Sequence, residues 1–183
     1  MLKYIKPVIV LALITTIISA LLIVTYNLTY KDTSGIITED MLAQCKMLAG
    51  EGEYSVVADI STQLPESVRK VITNQNGDIL FEIVANGYNK GGLDLLIYMN
   101  SDGSVGGISV ISISETPGLG TKVNDHEFLN KFCGIAENAV IVKQAPVSEN
   151  EVQAVTSATY SSKGVASAVN DAIEAYKSME VSK

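Results

Sequence analysis

The most constraining stretch of this chain is a run without a charge. From Pro7 to Tyr30 there is no Asp, Glu, Lys or Arg, and Ile, Leu, Val and Ala dominate as far as Val24. As a helix, about 24 residues at ~1.5 Å each span ~36 Å. A bilayer core needs ~30 Å, so the run crosses a membrane once with some tilt. Lys3 and Lys6 ahead of it would also suit a secretory signal. Signals of that kind carry an apolar stretch of roughly 7–15 residues and a small-residue cleavage site. This run is longer and no such site follows, so it reads as a retained anchor. Two lysines before the span and Tyr26 and Tyr30 near its far end put the N-terminus in the cytoplasm. The expected organisation is a cytoplasmic tip and transmembrane helix over 1–30, then an extracytoplasmic domain over 31–183.

Charge and soft ligands narrow the function of that domain. The net charge is −7, and without Lys3 and Lys6 the remainder carries −9. An acidic domain of this kind repels nucleic acid and anionic lipid headgroups. Cys45 and Cys133 could pair outside the cytoplasm, but sequence alone does not bring them together. With His126 as the only histidine, side chains for a zinc or iron–sulfur centre are lacking. His126 also sits in a polar run, Asn124-Asp125-His126-Glu127, that reads as solvated surface, so no Cys–His or Ser–His catalytic pair is expected.

Local patterns then order the domain. Lys31 to Gly35 reads as a linker. Thr38 caps a helix with Met41, Leu42, Cys45 and Leu48 on its apolar side, ended by Gly50 and Gly52. Glu53 to Pro65 is ambiguous, with extended structure an option over Tyr54–Ile60. Val68–Thr73 and Ile79–Ala85 flank Asn74-Gln75-Asn76-Gly77-Asp78, a hairpin signal. A second hairpin joins Leu93–Met99 to Val105–Ile113 through Asn100-Ser101-Asp102-Gly103. Gly87-Tyr88 and Gly91-Gly92 between the hairpins permit close approach of backbone or ligand. A short helix over Asp125–Phe132 and a strand over Ala139–Lys143 follow. Hairpins with segregated helices indicate an α+β domain with an antiparallel sheet.

Two stretches carry the chemistry. Thr156-Ser157-Ala158-Thr159-Tyr160-Ser161-Ser162-Lys163 is a hydroxyl-rich loop running into Val165, Ala168, Val169, Ala172, Ile173 and Tyr176, the spacing of a helix with one buried face. Ser161 or Ser162 would be its N-cap. Hydroxyls at a helix start suit a phosphate, although serines and threonines there also serve as plain caps. The other stretch is Glu115-Thr116-Pro117-Gly118-Leu119-Gly120, which fits a type II turn with Gly118 at the position needing φ > 0. Two glycines around one leucine let backbone approach a flat ring while an apolar side chain packs on it.

Together these stretches resemble the FMN-binding domain family. Thr156-Ser157-Ala158-Thr159 is similar to that family's Ser/Thr-Gly-Ala-Thr motif, with Ser157 where glycine is usual and Gln153 where an acidic residue is common. Glu115 to Gly120 matches letter for letter a signature of the G subunit of Rnf-type ferredoxin:NAD oxidoreductase complexes, shared with the C subunit of sodium-translocating NADH:quinone reductase. The resemblance implies FMN held covalently through a phosphoester on Thr159, made from FAD by a separate flavin transferase. Thr156, Ser157 and Ala158 would form the attachment loop. Glu115, Thr116, Gly118, Leu119 and Gly120 would form the second part of the cofactor site, with Thr116, Leu119 and Gly120 lining the ring. Lys163 would either approach the phosphate or stand in solvent. The implied role is electron relay beside other membrane subunits of an ion-pumping complex, with no catalytic residue of its own. No Gly-rich dinucleotide fingerprint is present. Alternative readings are the quinone-reductase C subunit, a stand-alone anchored flavin reductase, and a non-redox binding or assembly module.

Overall fold

A computed structural model of the chain describes residues 2–29, 35–57 and 63–181. The chain divides into two compact units, Met1–Thr33 and Ser34–Lys183. The first holds helix α1 (Leu2–Thr29), whose segment Lys6–Thr29 has a mean hydropathy of 2.8, long and apolar enough to cross a membrane. Its side chains are exposed all round from Lys6 onward. Within it, Thr16 and Thr25 donate their hydroxyls to the carbonyls of Ala12 and Leu21, so these polar groups are satisfied inside the apolar helix. Tyr30, the Lys31–Ser34 part of the linker and the side chain of Lys3 lie outside the described residues.

The second unit is built on a five-stranded sheet in which sequence neighbours are spatial neighbours: β1 (Tyr54–Val56), β2 (Val68–Asn74), β3 (Ile79–Ala85), β4 (Leu93–Met99) and β5 (Val105–Ile113). All four pairings are antiparallel. The extended segment expected over Tyr54–Ile60 is a strand as far as Val56; its residues 58–60 lie outside the described ones. Helix α2 (Glu39–Ala49) starts where Thr38 accepts a hydrogen bond from the amide of Met41 and stops at Gly50, whose φ is 88°. It packs Met41 and Cys45 against Ile72, Leu80 and Leu96 on one face of the sheet. On the other face, helix α4 (Thr159–Val181) packs Val165, Val169, Ala172 and Ile173 against Phe81, Ile83, Leu95 and Ile97. Burying each such side chain stabilises the fold by about 1.5–3 kcal/mol. Because both faces are covered, the central strands read as nearly continuous apolar runs, which explains the imperfect alternation of the sequence.

Cys45 lies on the buried face of α2, whereas Cys133 is exposed between Phe132 and Ile135, which belong to the α4-side core. Neither forms a disulfide.

Five short elements connect β5 to α4. A 3-10 turn (Gly120–Asn124) leads to the short helix α3 (His126–Leu129), capped by Asp125, and a second 3-10 turn (Asn130–Phe132). Strand β6 (Val140–Val142) pairs in parallel with β7 (Glu151–Gln153). Asn170 of α4 clasps the backbone of Ala139 from both sides, at 2.7 and 3.1 Å, which fixes this small sheet to the helix.

Candidate functional site

The loop that leaves β7 is folded by its own hydroxyls. The amide of Ala158 donates to the carbonyl of Val155 at 2.9 Å, forming a turn. Ser157 inside it has φ 66°, the sole non-glycine with positive φ among the described residues. Helix α4 begins at Thr159, ahead of the caps expected at Ser161 or Ser162. Those two serines are buried and have other partners. Ser162 accepts from the amide of Val155 at 3.0 Å and donates to the carbonyl of Ala158 at 2.9 Å, tying the loop to the first turn. Ser161 donates to the carboxylate of Glu115. The first helical bond runs from the amide of Ser162 to Ala158 at 2.8 Å, so the amides ahead of it stand outside the ladder at the positive end of the helix.

Beside this helix start lies the turn of the second stretch. The amide of Leu119 donates to the carbonyl of Thr116 at 3.2 Å, and Gly118 has φ 73°, the conformation a type II turn needs at that place. The hydroxyl of Thr121 accepts from the amide of Gly118 at 3.0 Å and braces it.

Between turn and helix start is a cavity of about 400 Å³, within the size range of small-molecule sites. Thr116, Leu119 and Gly120 form one side; Ser157, Ala158, Thr159, Tyr160 and Ser161 form another; Tyr88 closes a third. Its lining is mostly apolar, with the Thr159 hydroxyl-bearing residue half-buried at the helix end. Four residues expected at the site do not line it. Thr156 and Lys163 are exposed, Gly118 is at the exposed tip of its turn, and Glu115 is buried behind the wall.

Tyr88 and Tyr160 are two lining residues that the motifs did not single out. They are 71% and 69% exposed, and their rings meet edge to face with centroids 6.3 Å apart. The available signals were the Gly87-Tyr88 step between the hairpins and the position of Tyr160 directly after Thr159. A larger hollow, about 580 Å³, lies across the Gly120–Asn124 turn and is lined by Lys122, Lys131 and Gln153 among others. It is more polar and does not include Thr159.

Glu115 dominates the local electrostatics. Burial would raise its pKa. The hydroxyl of Ser161 and the amides of Asn89 and Tyr88 outweigh that and hold the carboxyl below its ordinary value.

Residues 87–174 match the FMN-binding domain family. The chain is 31% identical over 196 aligned positions to the G subunit of the Na(+)-translocating ferredoxin:NAD(+) oxidoreductase complex of Acetobacterium woodii, covering 95% of this chain and 94% of that one. It is 33% identical to the proton-translocating counterpart of Clostridium ljungdahlii over 54% of each chain. Among solved structures, NqrC of Shewanella oneidensis superposes with a TM-score of 0.47 at 18% identity, covering 68% of this chain and 70% of that one.

Proposed function

This chain belongs to the family of G subunits of ion-translocating ferredoxin:NAD(+) oxidoreductase complexes, and from that premise we propose that it is the complex's membrane-anchored electron relay, with FMN bound covalently through Thr159. The observation that carries the reading is the cavity that brings Thr159, at the start of α4, against the Thr116–Gly120 turn. The cavity fits the cofactor in chemistry as well as size. Leu119, Ala158 and the faces of Tyr88 and Tyr160 offer apolar contact to a ring, and the amides at the helix start suit a phosphate. Bound there, FMN supplies the redox chemistry. The protein orients it, shields one side of it and prevents its loss to a compartment without free flavin.

Attachment is a phosphoryl transfer performed by a separate flavin transferase. The Thr159 hydroxyl loses its proton, its oxygen bonds to the FMN phosphorus of FAD, and AMP leaves. Thr159 is thus an acceptor and not a catalytic group. The basic Lys3 and Lys6, ahead of the apolar run, support an extracytoplasmic position for residues 31–183. A C-terminal reporter active only in the cytoplasm should stay dark, and a bright one overturns that orientation.

The attachment is read on a gel. A covalent flavin survives denaturation, so the unfolded chain, made alongside its transferase, fluoresces under ultraviolet light. Thr159→Ala should lose that band and keep its fold, with stability changed by roughly 0.5 kcal/mol or less. Full fluorescence in Thr159→Ala sinks the assignment.

A further inference from the structure

Glu115 is nearly sealed in, at 5% exposure, yet it does not touch the cavity. One carboxylate oxygen accepts from the amide of Tyr88 at 3.0 Å and from the hydroxyl of Ser161; the other accepts from the amide of Asn89 at 3.0 Å. Backbone closes on it from three directions. A Cβ added at Gly87 would stand 2.7 Å from its carboxyl carbon, one at Gly120 would stand 2.7 Å from Oε2, and one at Gly92 would collide with Oε1. No side chain fits at any of these places, so the carboxylate is gripped by the protein on all of them.

The donors come from two separate segments that both build the cavity wall. Tyr88 is a cavity wall itself. Ser161 is in the first turn of α4, which presents Thr159. We propose that Glu115 is the positioning residue of the site: its carboxylate ties the Tyr88–Asn89 loop to the first turn of α4, so that the cavity is formed before any flavin arrives and Thr159 is offered to the transferase in one place. The inference rests on the reading of Thr159 as the attachment point. It assigns to Glu115 a role in shaping the site and none in touching the cofactor.

Glu115→Gln keeps the size of the side chain but turns one acceptor into a donor facing another N–H. In the full-length, flavin-free chain in detergent, hydrogen exchange at the amides of Tyr88 and Asn89 should quicken by about tenfold or more. The sheet amides of Phe81 and Leu95 should stay protected. With transferase and saturating FAD, flavin incorporation should slow by about 10–100-fold, as a displaced acceptor does. Unchanged exchange at both amides overturns the proposal, and so does incorporation at the wild-type rate. If Glu115→Gln does not fold, Ser161→Ala carries the test, since it removes one hydroxyl and leaves the carboxylate and its backbone donors. Incorporation slower by about 3–10-fold at an unchanged melting temperature supports the clamp, and a wild-type rate overturns it. Failure of the attachment reading is distinguishable, because Thr159→Ala would then still take flavin while exchange at Tyr88 and Asn89 still answered to Glu115.

Discussion

Glu115, in the loop after β5, and Asp94, on β4, are both carboxylates largely taken out of water, and they meet opposite conditions. Three donors converge on Glu115 and its carboxyl is held below the ordinary range. Asp94 stands on the α2 side of β4 with the Arg69 guanidinium at 3.6 Å, too long for a hydrogen bond, and its Oδ1 has no hydrogen-bond partner among the described residues. Burial, with the like charge of Glu82 added, pushes its carboxyl up to about 6. Next to it, Lys70 and Glu82 face each other in register across β2 and β3 as an ion pair at 2.8 Å, each side chain 5% exposed. Burial alone therefore does not decide the state of an acid in this fold. The number of donors aimed at it does, and the donors are concentrated where the cavity has to be shaped.

The largest effect should come from breaking the α2-side pair. Lys70→Met leaves Glu82 buried without its cation and should lower stability by about 3–5 kcal/mol in denaturant unfolding. The double change Lys70→Met with Glu82→Leu should recover most of that loss. A double variant as weak as the single one would mean that the pair stabilises more than an apolar contact in its place.

A smaller effect separates Asp94 from Glu115 by sign. The folded pKa of Asp94 lies above its ordinary 3.8, so its contribution is fully present below about pH 4 and is lost as pH rises through about 6. Asp94→Asn should therefore gain on the wild type across that window and end about 1 kcal/mol more stable at pH 8, after allowance for solvent screening. Glu115 is depressed, so its contribution is present above its ordinary 4.5 and is lost as pH falls through its folded value. Melting curves from pH 3.5 to 8 should show Glu115→Gln losing its disadvantage at the acid end. Two variants with parallel pH profiles would erase the distinction.

The smallest effect concerns strain beside the site. Ser157 holds φ 66°, which an L-residue adopts at a cost and glycine does not. Ser157→Gly should stabilise the chain by about 0.5 kcal/mol and leave flavin attachment intact or faster. A loss of attachment would show that the Ser157 side chain is needed for more than the shape of the loop.

These contrasts also show why parts of the molecule could be read in the sequence and parts could not. The uncharged apolar run exposed α1; periodicity exposed the Thr38-capped α2, both hairpins and the buried face of α4, because each of these buries a repeating set of apolar side chains. Strand β7 has Val152 as its only buried apolar residue, too little for any period, and the 3-10 turn at Gly120–Asn124 has no periodic face either. The start of α4 at Thr159 is not legible locally, because serines near a helix start look alike in sequence. Whether Ser161 caps a helix or serves a carboxylate depends on Glu115, 46 residues away. The places of Thr159, Leu119 and Gly120 in the cavity wall were legible through their local motifs. Tyr88 was legible only as part of the Gly87-Tyr88 step open to close approach, since its place in the wall is set by a loop closure that no local pattern records.

The order of the strands bears on how the site comes into being. A sheet in which every strand pairs with its chain neighbour needs only short loops to close, and such local pairings form early and fast. The Glu115 clamp must wait for partners 26 to 46 residues distant, and the segment bearing Thr159 follows the whole sheet in the chain. On the proposed reading of Thr159 as flavin acceptor, the acceptor would be assembled late in maturation, and a chain stalled with α4 undocked would present a threonine without its cavity. Loading with flavin would then act as a seal on finished molecules. Transferase offered to refolding protein should label it with the time course of α4 docking, and labelling that runs ahead of docking would contradict this order.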